Sequence, residues 1–231
     1  MDLWKSLRRK WNTLRRSWIF QVSAAVLLGL ILLAVILWSQ LRPRQESSTP
    51  AFTIGEETVS AVTMNYYFRD AYDSFLGALG EMSVDAQLLD PSIPLDQQQY
   101  SEAGTWADVL FETALSNAAR TEAICAEAQA QGYVFDAEAA AKAQLDALRQ
   151  RATEQGFSSL TAFLRSFYGP TATEETYKTY LRHTALADSY SHSIYDESQD
   201  QAAWDAWFAA RIESQALTLA PTARDALYYA P

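Results

Sequence analysis

His183 and His192 are the only histidines, and Cys125 the only cysteine, in 231 residues. Imidazole and thiol chemistry can therefore come from three positions alone. The histidines are nine residues apart, so one straight helix would set them more than two turns from each other. Metal-binding pairs on a helix sit at i and i+4, so both read as ordinary surface or core histidines. Cys125 can form no intrachain disulfide, and in an Ala-rich helical stretch it reads as a small buried hydrophobe. Glu56-Glu57 and Glu174-Glu175 are adjacent pairs that point to different sides of a strand or helix, the pattern of solvated charge. No Gly-rich phosphate loop, no GxSxG and no Cys-His arrangement occurs, and nothing in the order of Ser, Asp and His places a triad. The expectation is no catalytic residue, no metal and no cofactor.

Aromatic residues are the remaining candidates for function. Tyr66, Tyr67, Tyr72 and Phe75 crowd one segment, more than a single buried stripe requires. Tyr and Phe offer broad apolar contact at low conformational cost, and Tyr keeps a polar end for backbone groups. These properties suit binding of extended, varied chains. The competing reading is that they fill the core, which is the first expectation for Phe68, Phe75, Phe163 and Phe167 and stands level for Tyr66 and Tyr67. The candidate polypeptide-binding set is Tyr66, Tyr67, Tyr72, Phe75, Trp106, Tyr168 and Tyr177.

The elements that must position these residues are helical almost throughout. Residues 52–59 (FTIGEETV) alternate weakly around a Gly and suit a short strand or hairpin. Ser60 is a plausible N-cap for a helix with Met64, Phe68, Ala71, Tyr72, Phe75 and Leu79 as apolar positions, ended by Gly80. Residues 81–104 lack a clear period and hold Pro91 and Pro94, so they read as a long surface excursion, unusual unless it has a function. Thr105 with Asp108 starts a helix from Trp106 to about Gln131, ended by Gly132. Asp136 caps a third, with Ala141, Leu145, Leu148 and Ala152 on one face and Gly156 at its end. A short helix carries Leu160, Phe163, Leu164, Phe167 and Tyr168 and stops at Gly169-Pro170. Thr171 and Glu174 form a possible capping box for a fifth helix with Tyr177, Tyr180, Leu181, Ala187 and Ile194. A last helix holds Trp204, Trp207, Phe208 and Ile212, and residues 217–220 (LTLA) could return as a strand beside 52–59. The short joints fold neighbouring helices back on one another, giving a compact domain.

Ahead of this domain, residues 19–38 are apolar except for Gln21, Ser23 and Gly29. That is about the length that crosses a hydrocarbon core of roughly 30 Å. Its thirteen Leu, Ile, Val and Phe residues favour insertion by about 4–8 kcal/mol. The run ends in Trp38-Ser39-Gln40-Leu41, without a small-residue cleavage site, so an uncleaved anchor over 19–41 is expected. Lys5, Arg8, Arg9, Lys10, Arg15 and Arg16 precede it and only Arg42 and Arg44 follow closely, which keeps the N-terminus cytoplasmic and exports the rest. Residues 1–18 form a basic segment that either sets topology alone or lies in the interface as an amphipathic helix. Trp4, Trp11, Trp18 and Trp38 with Arg8, Arg9, Arg15 and Arg16 are the membrane-interface candidates.

Beyond Arg44 lie ten of the 18 Lys and Arg but 27 of the 28 acids, a formal charge near −17. Such a surface repels phosphates, which argues against nucleic acid as a partner. The expected organisation is an anchor, a linker over 42–51, one exported domain over 52–220 and a tail over 221–231.

The order of these features resembles a known family. TIGEETVS leads into the aromatic helix MNYYFRDAYDSF; later come AEAQAQGYVFDAE, EQGF and FYGPTATEETYKTYL. Over 52–194 this is similar to the SurA N-terminal-like domain of SurA- and PrsA-type exported chaperones and foldases. MNYYFRDAYDSF and LDPSIPLDQQQY look most like membrane-anchored versions in Gram-positive bacteria. The resemblance, together with the anchor read above, implies an all-α fold class: one N-terminal transmembrane helix plus a compact multi-helix domain, with room for a minor two-stranded β element. It also implies a cradle for non-native exported polypeptides. Many members add a parvulin domain of on the order of ninety residues with a pair of active-site histidines, by family resemblance. Only 35 residues follow Asp196, and both histidines precede it, so isomerase activity does not carry over. The expected function is a membrane-tethered, extracytoplasmic chaperone-like module for unfolded or secreted polypeptides. The alternative is an interaction subunit docking one envelope protein partner, and a weaker one is a protein related to peptidyl-prolyl isomerases.

Overall fold

The structure is a computed structural model that describes residues 49–82, 89–90, 92–102, 104–198, 200–214, 217–225 and 227. The anchor over 19–41, the basic segment before it and the interface candidates Trp4, Trp11, Trp18, Trp38, Arg8, Arg9, Arg15 and Arg16 lie outside the described residues. No described helix is long and apolar enough to cross a membrane.

Strand β1 (Pro50–Ile54) and strand β2 (Glu57–Ser60) form an antiparallel hairpin. Gly55 in its turn has a φ of 57°, a conformation that costs Gly little. A break in register between Pro50 and Phe52 lets Ala51 and Phe52 both face inward, where strict alternation would expose one of them. Domain packing therefore begins inside what the sequence suggests is linker. Strand β5 (Leu217–Leu219) returns antiparallel to the free side of β1, so the sheet has three strands in the order β2-β1-β5.

Among the described residues six helices follow the hairpin: α1 (Ala61–Met82), α2 (Trp106–Ala130), α3 (Ala137–Glu154), α4 (Leu160–Tyr168), α5 (Glu174–Ser198) and α6 (Gln201–Ser214). Local chemistry explains most of their ends. The Thr63 N–H donates to Ser60 Oγ at 3.3 Å at the start of α1. At α2 the capping box is complete: Asp108 N–H donates to Thr105 Oγ1 at 3.3 Å and Thr105 N–H to Asp108 Oδ2 at 2.9 Å. Asp136 caps α3 through the Ala139 N–H at 2.9 Å. The C-termini of α2 and α3 share one device. Gly132 and Gly156 have φ of 66° and 81°, and the next residue is aromatic and donates five residues back, Tyr133 to Ala128 and Phe157 to Ala152. Each cap thus also turns a ring onto the helix it ends: Phe157 packs against the main core and Tyr133 against a smaller cluster.

Four expectations need correction. Helix α1 runs past Gly80 to Met82, because one Gly lowers helix propensity by only about 1 kcal/mol. The cap of α5 is Thr173, reciprocally bonded with Thr176, and not the Thr171 and Glu174 pair; Thr171 is buried. Residues 81–104 are no plain surface excursion. Leu89 and Leu95 reach the core, and strands β3 (Gln99–Ser101) and β4 (Gly104–Thr105) pair. Gln98 holds this segment by bonding the Asp90 N–H, the Asp90 carbonyl and the Ile93 carbonyl. Nor do residues 221–231 begin a free tail: Ala223 and Leu227 are buried, and Arg224 binds Asp108 and Glu112 and lies over the Phe111 ring.

Helix α5 is the central support, packed on α2 and on α3, while α1 lies on α2. Between α3 and α5, Arg149 bonds Glu174 at 2.7 Å and Lys178 pairs with Glu138. The main core joins the sheet, α1, α2, α3, α4 and the first half of α5. A second cluster joins α2, the later part of α5 and α6.

Candidate functional site

The seven aromatic candidates are brought together in part, and mostly inside. Tyr66 is fully buried (0% exposed), with its ring centroid 4.9 Å from both Tyr168 and Tyr177 and 5.3 Å from Tyr180. Its hydroxyl bonds Thr176 Oγ1 at 2.7 Å, and burial pushes its pKa up to about 12. Tyr67 is buried edge-on against Tyr180, and its hydroxyl has no hydrogen-bond partner among the described residues. Tyr72 is buried beneath the Arg69 guanidinium, 5.1 Å from the ring centre. Trp106 is buried between half-buried Phe75 and exposed Tyr100, each 4.7 Å away by ring centroid. Tyr168 and Tyr177 are half-buried, with hydroxyls 3.4 Å apart. Tyr66, Tyr67, Tyr72 and Trp106 are therefore core residues and not parts of an open binding face. The reason is that α1 is covered by the sheet and by α2, α4 and α5, so more than one of its stripes is enclosed. Tyr177 borders a recess of about 240 Å³ shared with Leu148, Arg151 and Leu181.

The chemically versatile residues are used structurally. Glu122 on α2 is 4% exposed and faces His183 on α5, with His183 Nδ1 2.9 Å from Oε2 and 3.1 Å from Oε1. The carboxylate beside it raises the imidazole pKa against the opposing effect of burial. Cys125 donates to the His183 carbonyl at 3.3 Å, and burial raises its thiol pKa to about 12. Such a thiol stays protonated near neutral pH and is a poor nucleophile. His192 lies 3.5 Å from Asp188 on its own helix. Among the described residues no three His, Cys, Asp or Glu side chains gather as a metal site would require.

The more open site lies elsewhere. A groove of about 450 Å³ runs between α2, α5 and α6, and its walls include Arg120, Ile124, Ala187, Asp188, Trp204 and Phe208. Trp204 stacks on Trp207 at 5.1 Å and 17°, and meets Phe208 edge-on at 5.5 Å. The Arg120 guanidinium sits 3.9 Å from the Phe208 ring centre, close enough for a cation–π contact. Trp204 and Trp207 are half-buried and Phe208 is buried. The groove combines flat aromatic surface with hydroxyls from Thr121, Thr184 and Ser191, the mixture that accommodates a peptide's side chains and backbone. Sequence reading placed Trp204, Trp207 and Phe208 on the last helix without assigning them to a site. Their signal was three aromatics on a 14-residue helix otherwise rich in Ala and polar residues.

No family model matches this chain, no curated protein matches it, and no solved structure matches it.

Proposed function

We propose that this chain is a non-enzymatic, chaperone-like polypeptide-binding module, tethered through residues 19–41 with its helical domain on the extracytoplasmic side of the membrane. The observation that supports it most is the half-open groove of about 450 Å³ walled by Trp204 and Phe208, with apolar and polar lining side by side. The pattern shared with SurA- and PrsA-type proteins supports the same reading, as does the structural employment of His183, Glu122 and Cys125. A tether raises the effective concentration of such a groove at the membrane, where exported chains emerge. The test uses the full-length protein in lipid nanodiscs added to an unfolding reporter protein. Slowed aggregation at several-fold molar excess is expected, and no suppression would overturn the reading.

The closed packing of Tyr66, Tyr67, Tyr72 and Trp106 favours a second reading, in which the domain is an interaction subunit for one envelope protein. A single stoichiometric partner recovered by in-cell crosslinking, in place of many secreted chains, would decide for it.

A further inference from the structure

From His183 to Ala210 the sequence has five acids, Asp188, Asp196, Glu197, Asp200 and Asp205, and no Lys or Arg. This stretch supplies two of the walls of the α2–α5–α6 groove. Asp188 borders the groove and is exposed; Asp205, also exposed, follows Trp204 on α6. The cation at the groove, Arg120, comes from α2 and is turned onto the Phe208 ring. A peptide entering along α5 and α6 meets aromatic surface flanked by negative charge, on a domain whose charge beyond Arg44 is near −17. We propose that the groove selects extended segments in which an apolar or aromatic side chain is flanked by Lys or Arg. The apolar side chain lies against Trp204 and Phe208, and the cations approach Asp188 and Asp205. Acidic segments are rejected because their carboxylates meet like charge near a partly desolvated surface. This inference rests on the polypeptide-binding reading above and adds the class of segment bound.

The test uses the full-length protein in non-ionic detergent, free of anionic lipid. The probes are short labelled peptides with one Leu-, Phe- and Ser-containing frame and Lys, Gln or Glu at the same flanking positions, read by fluorescence anisotropy. The Lys peptide should bind about tenfold more tightly than the Glu peptide at low salt, with the difference shrinking as salt screens exposed charge. The double variant D188K/D205K alters only exposed side chains and should shrink or reverse that preference, while W204A should weaken all three peptides. Equal binding of Lys and Glu peptides, or a preference untouched by D188K/D205K, overturns the charge selection and leaves the polypeptide-binding reading standing. Failure of every peptide to bind overturns both.

Discussion

Tyr66, Tyr168, Tyr177 and Tyr180 gather where α1, α4 and α5 meet, and Tyr190, Trp204, Trp207 and Phe208 gather where α5 meets α6. Both are sets of four rings in edge, stacked or tilted contact, and both use α5 as a wall. They differ in what surrounds them. The tyrosine set is enclosed by several elements, and its hydroxyls are engaged: Tyr66 with Thr176, Tyr168 with Tyr177, and Tyr180 donating to Asp70. Three rings of the tryptophan set are carried by a single 14-residue helix packed on α2 and α5, which leaves both indoles half-buried and Trp204 on the groove wall. Ring density is therefore a poor guide to binding in this fold. Coverage by neighbouring elements decides whether a ring is structure or surface.

The sharpest way to break this comparison is Tyr66→Ala. Emptying a fully buried ring site should lower the unfolding free energy by about 3–5 kcal/mol in urea titration, and a loss under about 1 kcal/mol would remove the tyrosines from the core. Trp204→Ala should cost less stability, about 1–2 kcal/mol, because half-buried surface is exposed in both states to a degree. Its larger effect should be several-fold weaker suppression of reporter aggregation, the opposite balance to Tyr66→Ala. Between the two ring sets on α5 lies His183, whose pKa is raised by Glu122. The stabilisation from that pair is complete below the unfolded imidazole value of about 6.5 and is lost as pH rises through the raised folded value. Urea midpoints should accordingly fall as pH rises above the unfolded imidazole value, and His183→Gln should flatten that trend. The smallest expected effect concerns the tyrosine set's neighbour: Tyr67→Phe removes a buried, unbonded hydroxyl and should raise stability by about 1 kcal/mol, whereas Tyr66→Phe should lower it by a similar amount. Equal thermal shifts for the two would show that hydroxyl partners do not distinguish these positions.

The sequence was most legible where structure is set by neighbours along the chain. The Thr105–Asp108 box, the Asp136 cap and the Gly132 and Gly156 terminations each depend on a few consecutive residues. The α5 start was misplaced because three threonines in FYGPTATEET offer a cap, and the turn at Gly169 selects Thr173. Residues 89–98 were opaque because Gln98 stabilises them through backbone carbonyls and an amide, bonds that leave no side-chain pattern. The aromatic site was misassigned for a related reason. Periodicity reports that one face of α1 is apolar, but only the packed fold reveals that neighbouring faces are also covered.

The pairing of Phe52 with Leu219 and Ile54 with Leu217 has a consequence in time. A ribosome makes β1 and β2 early, while β5, Ala223, Arg224 and Leu227 appear only after all six helices. Until then one side of β1 is an unfilled template, and the sites beneath Ala223 and Leu227 are vacant. Closing the domain means joining segments separated by almost its whole length, the kind of contact that slows folding. A polypeptide interrupted before Leu217 would expose that template to any passing strand. The clasp therefore doubles as a checkpoint that only a chain extended through β5 can satisfy.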